Sequence, residues 1–279
     1  DPLPSESHML QEYRIQKDVL SLEAFSVSDL SASLKKLFPT LGAGLLGVAN
    51  KFVPDTPVVT LTGKQSDFVR EVKKHAFLDL GPIYAYVPEG MSVRYLDYLH
   101  ALEPAVQHVT NVMGIVVAPF TAFLAQLVSE DDAKFSTKEL TQFRDLEKRR
   151  EVVLKGLQRC FTSGSTQNES TFGKVVSRNA DWEEVFSRAS RLADTMTAVD
   201  RKAMGKKLDE AVILTTKLID KINRGQMKGV SPEVVKNLSE GVYEVAKEME
   251  FFSATYYRVM SLNESLNRTV THFKEVFKK

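Results

Sequence analysis

The sequence predicts a mainly α-helical protein, a helical bundle that ends in a long αα-hairpin. Three observations predict this class. From Ser92 almost to the C-terminus, apolar residues recur at helical spacings of three and four rather than in the alternation of a strand. Only two short runs, 58–62 (Val-Val-Thr-Leu-Thr) and 83–87 (Ile-Tyr-Ala-Tyr-Val), have the β-branched and aromatic character of strands. With 14 Gly and 10 Pro in 279 residues, few forced breaks interrupt the helices.

In chain order, Ser7-His8-Met9 matches a cloning-site remnant, so 1–8 are read as a non-native cloning scar and Met9 as the native start. Residues 9–23 read as a polar, flexible arm, too charged for a secretory signal. Ser26-Val27-Ser28-Asp29 opens a helix striped by Leu30, Leu34 and Leu37 and closed by Pro39. A Gly-rich apolar stretch, 41–53, and a turn between Pro54 and Pro57 follow. The runs 58–62 and 83–87 are expected to pair as a small two-stranded ribbon, with a short helix over 65–75 between them.

Tyr95, Tyr98, Leu99 and Leu102 mark the buried face of the next helix, which Pro104 is expected to interrupt. Residues 109–129 carry no charge and read as a buried central helix, although their length of about a membrane span leaves insertion open. A charged helix over 138–161 has Leu140, Phe143, Leu146, Val153 and Leu157 as its stripe. The linker is 162–171, rich in Ser, Thr and Gly. Asn179 or Asp181 then caps a helix striped by Trp182, Val185, Phe186, Ala189, Leu192, Met196 and Val199. The stripe resumes at Leu208, Val212, Thr215, Ile219 and Ile222, with a kink or register slip expected at Gly205. After a turn over 224–229, Ser231 caps the last helix and Pro232 takes its first position.

That last helix carries the strongest periodicity. Leu238, Val242, Val245, Met249, Phe252, Tyr256, Val259, Asn263, Leu266, Val270, Phe273 and Phe277 repeat with an average spacing near 3.5, the period of a left-handed packing seam. Met249, Phe252, Tyr256 and the single polar member Asn263 are its candidate interaction residues. The domain expectation is therefore a helical region over 24–161 and a long hairpin over 172–279.

The chemistry is mostly exclusion. Lys and Arg total 37 against 36 Asp and Glu, a net charge of +1, so no global field gathers nucleic acid and no sequence-specific nucleic-acid binding is expected. Gly42-Ala43-Gly44-Leu45-Leu46-Gly47 matches GxGxxG, but a helix end rather than a strand precedes it and no βαβ unit follows. Gly63-Lys64 is followed by Gln65, not the Ser or Thr of a phosphate loop. His8, His75, His100, His108 and His272 form no metal-binding spacing, and Glu130-Asp131-Asp132 reads as a polar loop. The one cysteine, Cys160, has no nucleophile context. Arg144, Lys148, Arg149 and Arg150 interleave with Glu147 and Glu151 as a solvated helix face. No catalytic residue, cofactor or metal is expected, and the chain reads as non-enzymatic.

One short motif carries an address. Ser21-Leu22-Glu23-Ala24 lies between the polar arm and the first apparent helix. It resembles the Ser-x-Glu site at which the prohead protease of giant phiKZ-type tailed phages trims internal head (inner body) proteins. The resemblance covers about 15 residues. Ser231-Pro232-Glu233 matches the same pattern and Leu10-Gln11-Glu12 a Leu-x-Glu variant, but only Glu23 sits where cleavage removes an arm and spares the packed helices.

The resemblance implies a structural virion protein inside the phage head, a substrate of the prohead protease, associated with other head proteins and ejected with the DNA into the host cytoplasm. Two other readings stay open. One is a helical adaptor or scaffold that binds a partner helix, or a second copy, through the 238–277 seam. The other is a membrane-active protein inserting 109–129.

Overall fold

The computed structural model describes residues 64–74, 83–129, 137–162, 170–177, 181–226 and 232–277. The described chain is mainly α. Its helices are α1 (Lys64–Lys74), α2 (Tyr95–Thr110), α3 (Ala118–Ser129), α4 (Thr137–Gln158), α5 (Trp182–Thr197), α6 (Arg201–Asn223) and α7 (Pro232–Phe277). A π-helical turn, Met113–Val117, precedes α3, and the strands are β1 (Ile83–Pro88) and β2 (Ser170–Ser177).

The chain forms two compact units, each assembled from separated stretches. The described part of the first lies in Asn111–Glu147 and Asp200–Phe251, and that of the second in Asp55–Thr110, Lys148–Val199 and Phe252–Lys279. Each unit therefore draws on both of the sequence segments 24–161 and 172–279.

In the first unit, α3 and the π-helical turn pack against α6. Val116, Val117, Phe120, Leu124 and Leu127 face inward with Met204, Leu208, Ala211 and Leu218. The expected single helix over 109–129 is instead divided: α2 stops at Thr110 and α3 begins at Ala118. Pro119 has no N–H to give, and the break puts it in the first turn of α3, where that donor is not needed. At the far end of α3, the Lys221 ammonium of α6 donates to the Leu127 and Val128 carbonyls at 3.5 and 3.2 Å. It thereby satisfies acceptors that a helix C-terminus leaves open.

The helix α6 starts with a side-chain cap, Ala203 N–H donating to Asp200 Oδ1 at 2.9 Å. The break between α5 and α6 thus falls at 198–200, and Gly205, expected to mark it, lies inside α6. The helix ends on Gly225 at φ +66°, with Gln226 N–H donating to Lys221 O at 3.1 Å. That six-to-one bond over a left-handed glycine is a Schellman ending. Within the same unit, Gly241 of α7 lets the Phe120 ring approach. A Cβ at position 241 would lie 2.6 Å from Phe120 Cδ2.

In the second unit, α2 packs on α5 and α1 also rests on α5. Pro104 does not interrupt α2 as expected; the helix runs through it. Tyr95, Tyr98, Leu99, Leu102, Ala105, Val106 and Val109 are buried on both sides of the proline. Burying that face outweighs a proline cost of about 3 kcal/mol.

The ribbon exists, with a different partner. Strand β1 pairs antiparallel with β2, from Ile83 opposite Ser177 to Pro88 opposite Ser170, with two irregularities in register. The expected partner, 58–62, lies outside the described residues, and β2 begins inside the 162–171 stretch read as linker. After β1 the chain turns at Gly90, φ +76°, closed by Met91 N–H donating to Pro88 O at 3.1 Å. The Gly90 carbonyl accepts from Thr162 N–H at 2.8 Å, tying the turn to the chain leaving α4. Asp181 occupies the cap position of α5 but makes no side-chain cap bond.

The long helix α7 spans 46 residues, its Pro232 at the first position as expected. Its seam residues Val245, Met249, Phe252, Val259, Asn263, Leu266 and Val270 are buried. So are Ala246, Phe251, Thr255, Leu262, Ser265 and Thr269 on flanking faces. A two-helix seam would leave those flanks wet; α7 is a core helix. Its Ser231 cap lies outside the described residues.

Candidate functional site

The processing motif Ser21, Leu22, Glu23 and Ala24 lies outside the described residues, as do the 42–47 glycine run and the 130–132 acidic loop. The seam candidates lie within them. Met249 belongs to the first unit, and Phe252, Tyr256 and Asn263 to the second. Met249, Phe252 and Asn263 are buried within the chain and Tyr256 is half-buried. The Phe252 and Tyr256 rings stack, with centroids 6.4 Å apart. Asn263 Nδ2 donates to Val259 O on its own helix at 2.8 Å and to Ala189 O on α5 at 3.3 Å. A polar clip between two apolar helices holds them in one register, as a single buried polar seam residue does.

Around that clip the C-terminal part of α7 carries small polar side chains facing inward. Thr269 Oγ1 accepts from Tyr86 N–H at 3.0 Å and donates to Ser265 O at 2.9 Å. Ser265 Oγ in turn donates to Ser261 O at 2.9 Å. The Tyr95 hydroxyl donates to the Tyr86 carbonyl. Strand β1 is therefore fastened through Tyr86, by its N–H to α7 and by its C=O to α2. Four further polar atoms here are buried without a hydrogen-bonding partner: Tyr98 Oη, Trp182 Nε1, Thr255 Oγ1 and Asn263 Oδ1. Each is the kind of group that carries a desolvation cost of about 1–3 kcal/mol.

Titration follows burial. Desolvation pushes the Tyr95 and Tyr98 phenols far above the ordinary tyrosine range, opposed weakly by a Thr269 hydrogen bond at Tyr95 and by the Arg258 charge at Tyr98. Burial, with Asp97 adding to it, also raises the Cys160 thiol. Cys160 Sγ donates to Gly156 O in the last turn of α4, 3.5 Å away. A thiol held up in this way is a poor nucleophile at neutral pH, and Cys160, expected on a helix face, lies instead in the turn just past the end of α4.

Among the described residues, no group of three or more His, Cys, Asp or Glu is placed to hold a metal ion. His100 and His108 share the uninterrupted α2 without forming such a group. His100 Nε2 lies 3.5 Å from Arg188 Nη1, and that guanidinium also faces Glu184 at 2.8 Å and Glu103 at 3.8 Å. The basic run on α4 is not one solvated face. Arg144, Lys148 and Arg149 are exposed while Arg150 is buried.

Sequence reasoning missed buried charge altogether. Arg150, Glu244 and Glu248 are all buried, and each is engaged with other groups. The available signal was position: Glu244 and Glu248 sit one turn apart beside Val245 and Met249, so a helix surrounded on several sides must bury them.

Among the described residues no single helix is long and apolar enough to cross a membrane; α2 and 114–129 pass such a test only together, as a bent pair. Compared with known protein families, characterised protein sequences and solved structures, the chain matches none of them.

Proposed function

We propose that this chain is a non-enzymatic structural protein of a tailed-phage head, packaged inside it and trimmed after Glu23 by the prohead protease. The observation that carries the reading is the placement of Ser21-Leu22-Glu23-Ala24. It stands between the polar 9–20 stretch and the helix start at Ser26–Asp29 read from the sequence, a position open to a protease. On this reading, cleavage after Glu23 removes the polar stretch that precedes the first apparent helix. Other head proteins are the partners on this reading, and the host cytoplasm is reached after ejection. The partner-helix alternative has less support, because Met249, Phe252 and Asn263 are already buried against the chain itself.

The test is intact mass and N-terminal sequencing of the protein isolated from its native source. The expected chain begins at Ala24, and a Glu23→Ala variant keeps its arm. A wild-type chain that begins at Met9 or Leu10 overturns the proposal.

A further inference from the structure

We propose that α1 is a detachable strap over an aromatic seat, and that the seat takes a helix of α1's own chemistry when the strap lifts. This inference does not depend on the phage reading. The helix α1 has 11 residues, below the ~12–15 at which an isolated helix holds its shape in water. Its helicity therefore depends on what it sits on. Among its described side chains only Phe68 and Val72 are buried, whereas α5 buries seven.

Phe68 is the anchor. Its ring meets Trp182 edge-on at 5.3 Å, Phe186 edge-on at 5.7 Å and Phe273 at 5.6 Å. The remaining described bonds between α1 and its seat are peripheral. Gln65 Nε2 donates to Asn267 Oδ1 at 3.4 Å, and Lys73 pairs with Glu183 in the solvent. Exposed pairs of that kind add little to stability, but at opposite ends of the helix they set its direction.

The seat thus specifies its occupant: an amphipathic helix with an aromatic anchor, an apolar residue four positions later and a cation next to that, the pattern of Phe68, Val72 and Lys73. An element with few buried anchors opens locally, without global unfolding. Lifting α1 uncovers Trp182, the only tryptophan of the chain.

The test has two arms on the full chain. In native-state hydrogen exchange, α1 amides are expected to exchange at least ~100-fold faster than the central amides of α5, as separate opening units do. Exchange of α1 and α5 at a common rate overturns the strap. In the second arm, Phe68→Ala is expected to shift Trp182 emission to the red. A capped synthetic peptide of residues 64–74 then restores the blue emission saturably, and the same peptide with Phe68→Ala does not. An unshifted variant, or a shifted one that the wild-type peptide leaves unchanged, overturns the seat. If the variant fails to fold, the seat does not exist without its strap and the proposal fails with it.

Discussion

The two units bury different chemistry under the same helical pattern. The first is closed mainly by aliphatic side chains of α3 and α6, with Phe123 and Phe251 also buried, Phe120 seated where Gly241 leaves room, and Glu244 and Glu248 of α7 carried inside. The second is closed by an aromatic group of Phe68, Tyr95, Trp182 and Phe186 and by a polar layer on α7. Tyr98 Oη, Trp182 Nε1, Thr255 Oγ1 and Asn263 Oδ1, buried without a hydrogen-bonding partner, belong to the second unit. Aliphatic cores are forgiving as long as volume is kept. Aromatic cores concentrate burial in few rings, so the second unit depends on fewer residues.

The largest expected effect is at Trp182. Its ring touches Phe68, Tyr95 and Phe186, and Trp182→Ala should cost ~3–5 kcal/mol, as large-to-small core changes do. Urea denaturation followed by circular dichroism measures it. A loss under ~1 kcal/mol, the scale of a surface change, removes the claim that the second unit rests on its rings.

The next effect is alkaline. Tyr95 and Tyr98 hold their protons in the folded state to a pH well above the ordinary tyrosine value, whereas in the unfolded chain they release them near pH ~10. Above that pH the native state binds more protons than the unfolded state, so stability falls as pH rises and is intact below it. The slope is ~1.4 kcal/mol per pH unit for each such phenol. Tyr98→Phe should remove one phenol's share of that slope and cost little at neutral pH, because its hydroxyl has no partner to lose. An unchanged alkaline profile in that variant would mean Tyr98 ionises freely.

The smallest effect sharpens the comparison inside the first unit. At Gly241 an added methyl meets Phe120, while at Gly205 it meets nothing within 4 Å. Gly205→Ala should stabilise by ~0.5–1 kcal/mol through helix propensity alone. Gly241→Ala should lose ~1 kcal/mol net, because overpacking costs more than that propensity returns. Thermal melts of the two variants should move in opposite directions; two upward shifts would show that Phe120 yields freely.

Local patterning was enough to specify the helical class, most of the described helices and much of what faces inward. Tyr95, Tyr98, Leu99 and Leu102 were legible because period 3.6 burial repeats locally along one helix. Turn chemistry at Arg224–Gln226 and Pro232 at its helix start were legible for the same reason, since both depend on neighbours in sequence; the rest of the expected 224–229 turn lies outside the described residues. The processing motif is legible only as sequence, and nothing in the packed units bears on it. What tertiary structure alone decided were the long-range choices. Strand β1 found β2, whose Ser170 lies 82 positions beyond Pro88, and Pro104 was overridden by burial on both sides of it. The seam on α7 turned into a helix buried on flanking faces, carrying Glu244, Glu248 and Thr269 inside with it. A periodic pattern states which residues want to leave water, and only the number of neighbours around a helix decides how much of its circumference does so.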